Sequence, residues 1–261
     1  MFPKLLDIGR VHIASYGLFV AAGYLAGILW LKRRRDRMGL SEDRFWSLIY
    51  ACFFGAVLGG KLMFMAVNWH SFASGELGFI RDFRYGFVFY GGLLGICAAG
   101  FGWCWYDGIP ALAAADYFAA IAPVGHAIGR IGCLAAGCCY GAPTRLPWGV
   151  TFRRPDSLVP EHLRGVPLHP TQLYEAAGNL LIAAALWRVL KRVQAGKAEP
   201  GTVFFSYFLL YAALRFAVEF LRADERGGFA AGLSPAQWTA LAFAAAGLAW
   251  FALERRLRAR A

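Results

Sequence analysis

The sequence predicts an all-α fold: a polytopic membrane protein with seven transmembrane helices and a small extracytoplasmic cap. Its 261 residues are 59% hydrophobic and only 16% charged, whereas soluble domains carry about a quarter charged residues. The apolar residues are gathered in blocks of about 20, the length at which a helix crosses a hydrocarbon core of about 30 Å. We therefore expect a single integral membrane domain over residues 1–261.

The seven apolar blocks follow one another with polar or basic segments between them. The first ends at the basic run that begins with Lys32, and the fifth begins at Pro170, because proline favours a first helical turn. The predicted helices cover residues 12–31, 46–68, 87–106, 111–134, 170–189, 202–221 and 235–253. The longest connection, 135–168, is the predicted cap, and Pro143, Pro147, Pro155 and Pro160 exclude a long helix there.

The basic residues predict the orientation in the membrane. Clusters of Lys and Arg follow the first, fifth and seventh blocks, at 32–37, 188–197 and 255–260. Such clusters mark cytoplasmic loops, so we expect the N-terminus outside and the C-terminus in the cytoplasm. The net charge of +11 lies between apolar blocks, where membrane lipid headgroups meet it. This distribution argues against nucleic acid as a partner.

Charged side chains inside the apolar blocks are the main functional signal. The sixth block has four polar groups on one helical face, at spacings of four, four and three: Tyr211, Arg215, Glu219 and Arg222. The fourth block contains His126 and Arg130 at a spacing of four. A charge at bilayer depth costs about 2.5–3.5 kcal/mol on insertion scales, so it normally faces a partner or a polar cavity. The pattern predicts an anion site within the membrane.

Arg130 lies between Gly129 and Gly132, which leave room for its side chain and for a neighbouring backbone. A guanidinium group can hold a phosphodiester through two parallel hydrogen bonds. One interpretation is therefore a phosphate clamp. The alternative is a structural ion pair with an intramembrane carboxylate such as Glu175 or Glu219.

The fifth block opens with a polar motif, His169-Pro170-Thr171-Gln172-Leu173-Tyr174-Glu175. His169 and Thr171 are candidate caps for this helix, whose N-terminus favours anions. An ordinary helix cap would account for Thr171. It would not explain why Gln172 and Glu175 enter the membrane on a polar face.

Two further segments are interpreted as packing surfaces. Phe89-Tyr90-Gly91-Gly92-Leu93-Leu94-Gly95 presents small residues, which predict a close helix neighbour. Of the six cysteines, Cys133, Cys138 and Cys139 cluster after the fourth block, at a spacing that is not a recognisable zinc motif. We expect them to pack or, on an oxidising face, to form a disulfide, and we expect no metal.

Taken together and in order, these motifs resemble those of the prolipoprotein diacylglyceryl transferase family. The matching segments are Tyr16-Gly17, Tyr90 to Gly95, Gly129-Arg130-Ile131-Gly132 through Gly141 with Pro143-Thr144 and Trp148-Gly149, His169 to Glu175, Tyr211 with Arg215, Glu219 and Arg222, and Leu233-Ser234 with Gln237. The resemblance implies a seven-span enzyme of the bacterial cytoplasmic (inner) membrane with its N-terminus outside.

The resemblance also implies the chemistry. The diacylglyceryl group of phosphatidylglycerol passes to the lipobox cysteine thiol of preprolipoprotein signal peptides, giving a thioether and glycerol phosphate without a cofactor. Arg130 and Arg215 are expected to stabilise the departing phosphate. The expected substrate-binding residues are Tyr16, Gly91, Gly92, Gly129, Gly132, Gly141, His169, Gln172, Glu175, Tyr211, Glu219 and Arg222.

Two positions depart from the family pattern. Tyr90 stands where the family has histidine before Gly-Gly, and Cys133 stands where it has asparagine. A phenol is a poor base at neutral pH, so we expect Tyr90 to orient substrate. The arginines would then favour the substrate thiolate, and His126, one turn before Arg130, is the candidate base.

Two other functions are compatible with the sequence. A diverged member of the family would bind phospholipid but modify another acceptor or be inactive, which only the departures at Tyr90 and Cys133 favour. A transporter for an anionic solute would also use intramembrane arginines. The sequence lacks the inverted repeats and broken helix pairs that are typical of transporters.

Overall fold

The computed structural model describes residues 4–8, 11–78, 86–224, 228 and 230–258. These residues form eight α-helices: α1 Ser15–Lys32, α2 Glu42–Val67, α3 Trp69–Ala73, α4 Phe89–Tyr106, α5 Ala111–Ala136, α6 Thr171–Gln194, α7 Thr202–Glu219 and α8 Pro235–Arg258. Two small antiparallel sheets accompany them, one of β1 Lys4–Ile8 with β2 Val11–Ala14 and one of β3 Val150–Thr151 with β4 Pro167–Leu168.

Each predicted helix is present, with shifts at its ends that have physical causes. The first helix begins at Ser15 rather than at residue 12, because Val11–Ala14 pairs with Lys4–Ile8 as a hairpin. The fifth and seventh predicted helices continue to Gln194 and Arg258, beyond the predicted 189 and 253. Basic side chains there end the apolar block without ending the helix.

Six helices in the described part of the chain are long and apolar enough to cross a membrane, namely α1, α2, α5, α6, α7 and α8. The structure is therefore that of a polytopic membrane protein. Helix α4 coincides with the third predicted span but is not among these six.

The chain divides into two compact units, Lys32–Ala114 and a second unit of Met1–Leu31 with Ala115–Ala261. In the first unit, α2 packs against α4 through glycines. A Cβ atom added to Gly59 would lie 2.9 Å from the Cα atom of Gly95, closer than real Cβ contacts. This contact confirms the prediction that the small residues of α4 meet another helix.

In the second unit, α1 crosses α5 at small residues and α6, α7 and α8 pack in sequence. A Cβ atom on Gly23 would lie 2.8 Å from the carbonyl oxygen of Gly125, and one on Gly132 would lie 2.9 Å from the Cβ atom of Phe19. Buried Asp116 accepts hydrogen bonds of 2.8 Å from the backbone amides of Gly201 and Phe204. These bonds tie α5 to the start of α7.

Helix α5 ends at Ala136, two residues into the predicted cap, and the rest of the cap is non-helical apart from a short 3-10 turn at Glu161–Leu163. The cap has a small apolar core of its own, made of Tyr140, Phe152, Val159 and Leu168. At its start, Gly137 adopts a φ of 81°, a left-handed conformation that glycine tolerates without strain. The backbone therefore turns sharply where α5 ends.

Candidate active site

Glu175 lies at the centre of a buried ion-pair cluster in the second unit. Its side chain is fully buried in the first turns of α6. Oε2 lies 2.6 Å from Nη2 of Arg130 on α5, and Oε1 accepts a 2.7 Å hydrogen bond from Nη1 of Arg222. One carboxylate thus joins two arginines from different parts of the chain. The structural ion pair considered for Arg130 is present.

Arg222 lies beyond the end of α7, so the prediction that it continues the helical face of Tyr211, Arg215 and Glu219 is wrong. The helix ends at Glu219, and Arg222 follows a turn in which its amide donates to the Glu219 carbonyl. The main chain then pairs with Gly141, and the guanidinium turns to Glu175. Sequence spacing could not predict this, because it assumes an unbroken helix.

Asp224 holds the other side of Arg222. Its two carboxylate oxygens accept hydrogen bonds of 3.0 and 3.1 Å from Nε and Nη2 of Arg222. Burial raises the pKa of Asp224 above its ordinary value, and the positive charge of Arg222 partly offsets this rise. Sequence reasoning did not identify Asp224, which lies in a polar loop without a motif.

Arg215 and Glu219 form a second buried ion pair, with Nη1 of Arg215 2.5 Å from Oε2 of Glu219. The Ser234 hydroxyl donates to the other oxygen of Glu219 at 2.5 Å. Ser234 also accepts a bond from the Gln237 amide, and Gln237 Oε1 accepts one from the Ser234 amide. This reciprocal pair is a capping box that fixes the start of α8.

Several buried polar atoms of the site have no hydrogen-bond partner among the residues that the structure describes, among them Nη2 of Arg215, Nε of Arg130 and Oε1 of Gln172. Arg215 is only 6% exposed. Leaving a buried donor or acceptor unpaired costs about 1–3 kcal/mol, and more for a charged group. Two unpaired arginine N–H groups therefore indicate a place for an anionic ligand.

His126 and Tyr211 lie beside these arginines, with ring centroids 5.1 Å apart. The Tyr211 hydroxyl is hydrogen-bonded to Arg130, and the charges of Arg130 and Arg215 both act on His126. The candidate base His126 therefore lies one helical turn before Arg130 on α5 and within electrostatic reach of Arg215.

The polar motif at the start of α6 holds the loop that follows α5. Thr171 Oγ1 donates a 2.6 Å hydrogen bond to the Cys139 carbonyl, and Gln172 Nε2 donates a 2.7 Å bond to the Cys138 carbonyl. The N-cap residue is Pro170, without a side-chain cap. The expected capping role of Thr171 is therefore wrong, because its hydroxyl is committed to the cysteine loop.

His169 takes its place mainly through its backbone. Its amide donates to the Ala142 carbonyl at 2.9 Å, and its carbonyl accepts from the Gly141 amide at 3.0 Å. Its ring Nδ1 lies 3.3 Å from the Tyr174 hydroxyl. A Cβ atom on Gly141 would lie 2.6 Å from that of His169 and 2.7 Å from the Leu221 carbonyl oxygen. Gly141 is therefore required for close packing.

The two glycines around Arg130 differ. Gly132 packs against α1, where its Cβ position is 3.3 Å from the Cα atom of Tyr16, which is itself 47% exposed. No atom lies within 4 Å of the Cβ position of Gly129 in the described part of the chain. The expected close approach of a backbone is therefore found at Gly132 only.

Tyr90, Gly91 and Gly92 belong to the other unit, Lys32–Ala114. Gly91 and Gly92 are buried against α2 and against the ring of Phe87, and Tyr90 is 37% exposed. In this unit the two glycines act as packing residues. Their expected substrate contacts stay predictions.

Cys133, Cys138 and Cys139, which the sequence groups after the fourth block, are free cysteines with all three sulfur atoms within 4.8 Å of one another. Hydrogen bonds from the Cys133 and Cys138 thiols, together with the charges of Arg222 and Arg130, lower the pKa of Cys139. The same hydrogen bonding raises the pKa of Cys138. The turn at Gly137 folds the chain back and creates the cluster, a step that spacing alone does not reveal.

Comparisons with known proteins agree over nearly the whole chain. A family model described as prolipoprotein diacylglyceryl transferase matches residues 3–253. A Clostridium tetani protein named phosphatidylglycerol-prolipoprotein diacylglyceryl transferase is 32% identical over 255 residues, 98% of each chain. Proteins of the same name from Geobacter sulfurreducens and Cupriavidus pinatubonensis are 33% and 31% identical, covering 88% and 99% of this chain and 86% and 93% of their own.

Proposed function

We infer that this chain, which belongs to the prolipoprotein diacylglyceryl transferase family, transfers the diacylglyceryl group of phosphatidylglycerol to the lipobox cysteine of preprolipoproteins. The thiol sulfur forms a bond to the terminal carbon of the diacylglyceryl group. The carbon–oxygen bond to the phosphate breaks, and glycerol phosphate leaves. The membrane-spanning helices and the relatives named for this reaction support the proposal.

The observation that carries the proposal at the level of residues is the pair of buried arginines with unpaired N–H groups. Nη2 of Arg215 and Nε of Arg130 lack hydrogen-bond partners among the described residues, while Nη1 of Arg215 and Nη2 of Arg130 are paired with carboxylates. Donors fixed in advance stabilise the charge that develops on a departing phosphate, because they need no reorganisation during the reaction. Arg130 and Arg215 are the proposed catalytic residues.

His126 is the proposed acceptor of the thiol proton. Its ring centroid lies 5.1 Å from that of Tyr211. The positive charges of Arg130 and Arg215 both act on it. A thiol becomes a strong nucleophile only as the thiolate. A base beside the phosphate site would place the deprotonated sulfur close to the carbon that it attacks. Tyr90 is proposed to orient substrate.

We place the enzyme in the bacterial cytoplasmic membrane with seven spans, counting α4. The basic segments 32–37, 188–197 and 255–260 would then lie on the cytoplasmic side. The N-terminus and the cap 135–168 would lie outside, where lipobox signal peptides and the outer leaflet are accessible. Labelling of single cysteines placed at residues 75 and 196 by a membrane-impermeant reagent tests this arrangement, and we expect labelling only at residue 75 in intact cells.

The activity is tested with purified protein, phosphatidylglycerol and a lipobox peptide. We expect a thioether product and an equal amount of glycerol phosphate, and neither with a peptide that has serine in place of the cysteine. Arg130→Lys, which keeps the charge but loses the fork geometry, should reduce the rate strongly. Arg188→Ala is the matched control, since Arg188 is exposed on α6. A folded protein that binds phosphatidylglycerol without any transfer would instead favour the diverged family member.

A further inference from the structure

We propose that Cys133, Cys138 and Cys139 form a binding site for a divalent metal ion of the zinc type, with an open position that accepts the thiol of the substrate. The three sulfur atoms lie within 4.8 Å of one another. In a tetrahedral zinc site the zinc–sulfur distance is about 2.3 Å, which puts neighbouring sulfurs just under about 4 Å apart. Closing the cluster on a metal therefore requires only small shifts.

The protein scaffold holds the cluster in shape. Cys133 is buried in the last turn of α5, and the carbonyl groups of Cys138 and Cys139 are bonded to Gln172 and Thr171. Cys139 has a φ of 62°, a left-handed conformation that is strained for a residue with a side chain. This strained backbone persists because the neighbouring bonds fix it, and it directs the third thiol toward the other two.

The surrounding charges are compatible with a metal–thiolate complex. Three thiolates and one divalent ion carry a formal charge of −1, and a fourth thiolate makes it −2. Arg130 lies one helical turn before Cys133, and Arg222 pairs through its backbone with Gly141, two residues after Cys139. Because both arginines are paired with Glu175 and Asp224, this group of four charges adds no net charge that would oppose an anionic complex. Three sulfurs also exceed what one disulfide uses.

The chemistry of such a site fits the proposed transfer, on which this part of the inference rests. A zinc ion with three protein ligands keeps its fourth position for water or substrate, and a coordinated thiol loses its proton. The lipobox thiol would bind at that position and pass its proton to His126. Its sulfur would then form the bond to the diacylglyceryl carbon as the carbon–oxygen bond to phosphate breaks. The metal site would activate the substrate thiol in place of the family histidine, whose position is occupied here by Tyr90.

Metal content tests the site itself. Protein purified with its thiols reduced, exposed to zinc and then desalted should retain about one zinc ion per chain. Cys133→Ser, Cys138→Ser and Cys139→Ser should each reduce zinc retention by tenfold or more, while Cys97→Ser on α4 should leave it unchanged. A fully reduced wild type that retains no zinc would overturn the proposal, and so would zinc retention in the triple serine variant.

The open position is tested with cobalt in place of zinc and without phosphatidylglycerol, so that no transfer is needed. Cobalt–thiolate absorption should appear in the wild type and shift when a lipobox peptide is added, but not with the matched serine peptide. An unchanged spectrum would overturn the inference. If the spectrum shifts but no diacylglyceryl transfer follows when phosphatidylglycerol is added, the proposed transferase function is contradicted and the metal site is supported. Full transfer by metal-free protein would support the proposed transferase function and overturn the role of the metal in it.

Discussion

The two compact units bury opposite kinds of surface. In Lys32–Ala114, α2 and α4 meet through Gly59 and Gly95, where the backbones approach so closely that one added methyl group would not fit. In the other unit, three arginines and three carboxylates are brought together around Glu175 and Glu219. The first contact is satisfied completely by shape, because glycine leaves no group to pair.

The second contact leaves two arginine N–H groups unpaired among the described residues. The difference indicates which region would gain stability on binding a ligand, because unpaired buried donors cost free energy until they are paired. A glycine contact gains nothing from a bound anion, whereas the arginine cluster does. Substitutions at the glycine contact should therefore change stability alone, whereas substitutions in the arginine cluster should change stability, activity or both.

The largest effect is expected at Glu175. Glu175→Gln would leave Arg130 and Arg222 buried beside a neutral group, and removing one partner of a buried pair costs about 3–5 kcal/mol. Thermal or denaturant unfolding in detergent should show a loss of that size. Glu161→Gln, in the cap and exposed, is the control and should change little. Equal stabilities of the two variants would mean that the ion pairs add nothing to the fold.

The next effect is on catalysis. Arg215→Ala removes a donor that we propose to stabilise the departing phosphate, and such donors are worth about 10²–10³ in rate. We expect kcat for glycerol phosphate release to fall by that factor with a smaller change in KM. The variant must be compared at equal amounts of folded protein. A change in KM alone would show that Arg215 binds the lipid without assisting its reaction.

A smaller effect, on stability, distinguishes two glycine-to-alanine substitutions in the unit Lys32–Ala114. Gly59→Ala should destabilise the fold by about 1–3 kcal/mol through overpacking. Gly102→Ala on α4, whose Cβ position has no described atom within 4 Å, should be neutral or stabilising by about 0.5–1 kcal/mol. Neither should alter the rate per folded molecule. Stability changes of the same sign for Gly59→Ala and Gly102→Ala would contradict the packing described for α2 and α4.

The smallest effect concerns Asp224, whose pKa is raised in the folded state by burial. A raised pKa means that the folded state takes up the proton first, so the wild type gains stability relative to Asp224→Asn as the pH falls from 7 toward 4. The gain should level off below the ordinary carboxyl pKa. Unfolding curves across this pH range measure it. A wild type that loses stability relative to Asp224→Asn would show that pairing with Arg222 outweighs burial.

Local patterns in the sequence predicted much of this structure. Apolar blocks located the helices to within a few residues, and the Arg130–Glu175 pair was one of the two alternatives considered, since a buried charge needs a partner. Small residues at Gly91 and Gly95 correctly indicated a close helix contact.

Features that depend on chain reversals could not be predicted. Arg222 leaves its helical face because α7 ends at Glu219, and Asp224 then becomes its partner. The thiol cluster requires the turn at Gly137, and the bonds from Thr171 and Gln172 arrive from residues more than thirty positions away. Spacing along a sequence carries no information about such contacts.

Binding of glycerol phosphate tests the central claim, that the arginine cluster holds the phosphate of the lipid. Titration of the purified protein with this product, followed by calorimetry, needs no chemistry and no peptide. We expect measurable binding to the wild type and to Arg188→Ala, and at least tenfold weaker binding to Arg215→Ala. Equal affinities for the wild type and Arg215→Ala would contradict the claim.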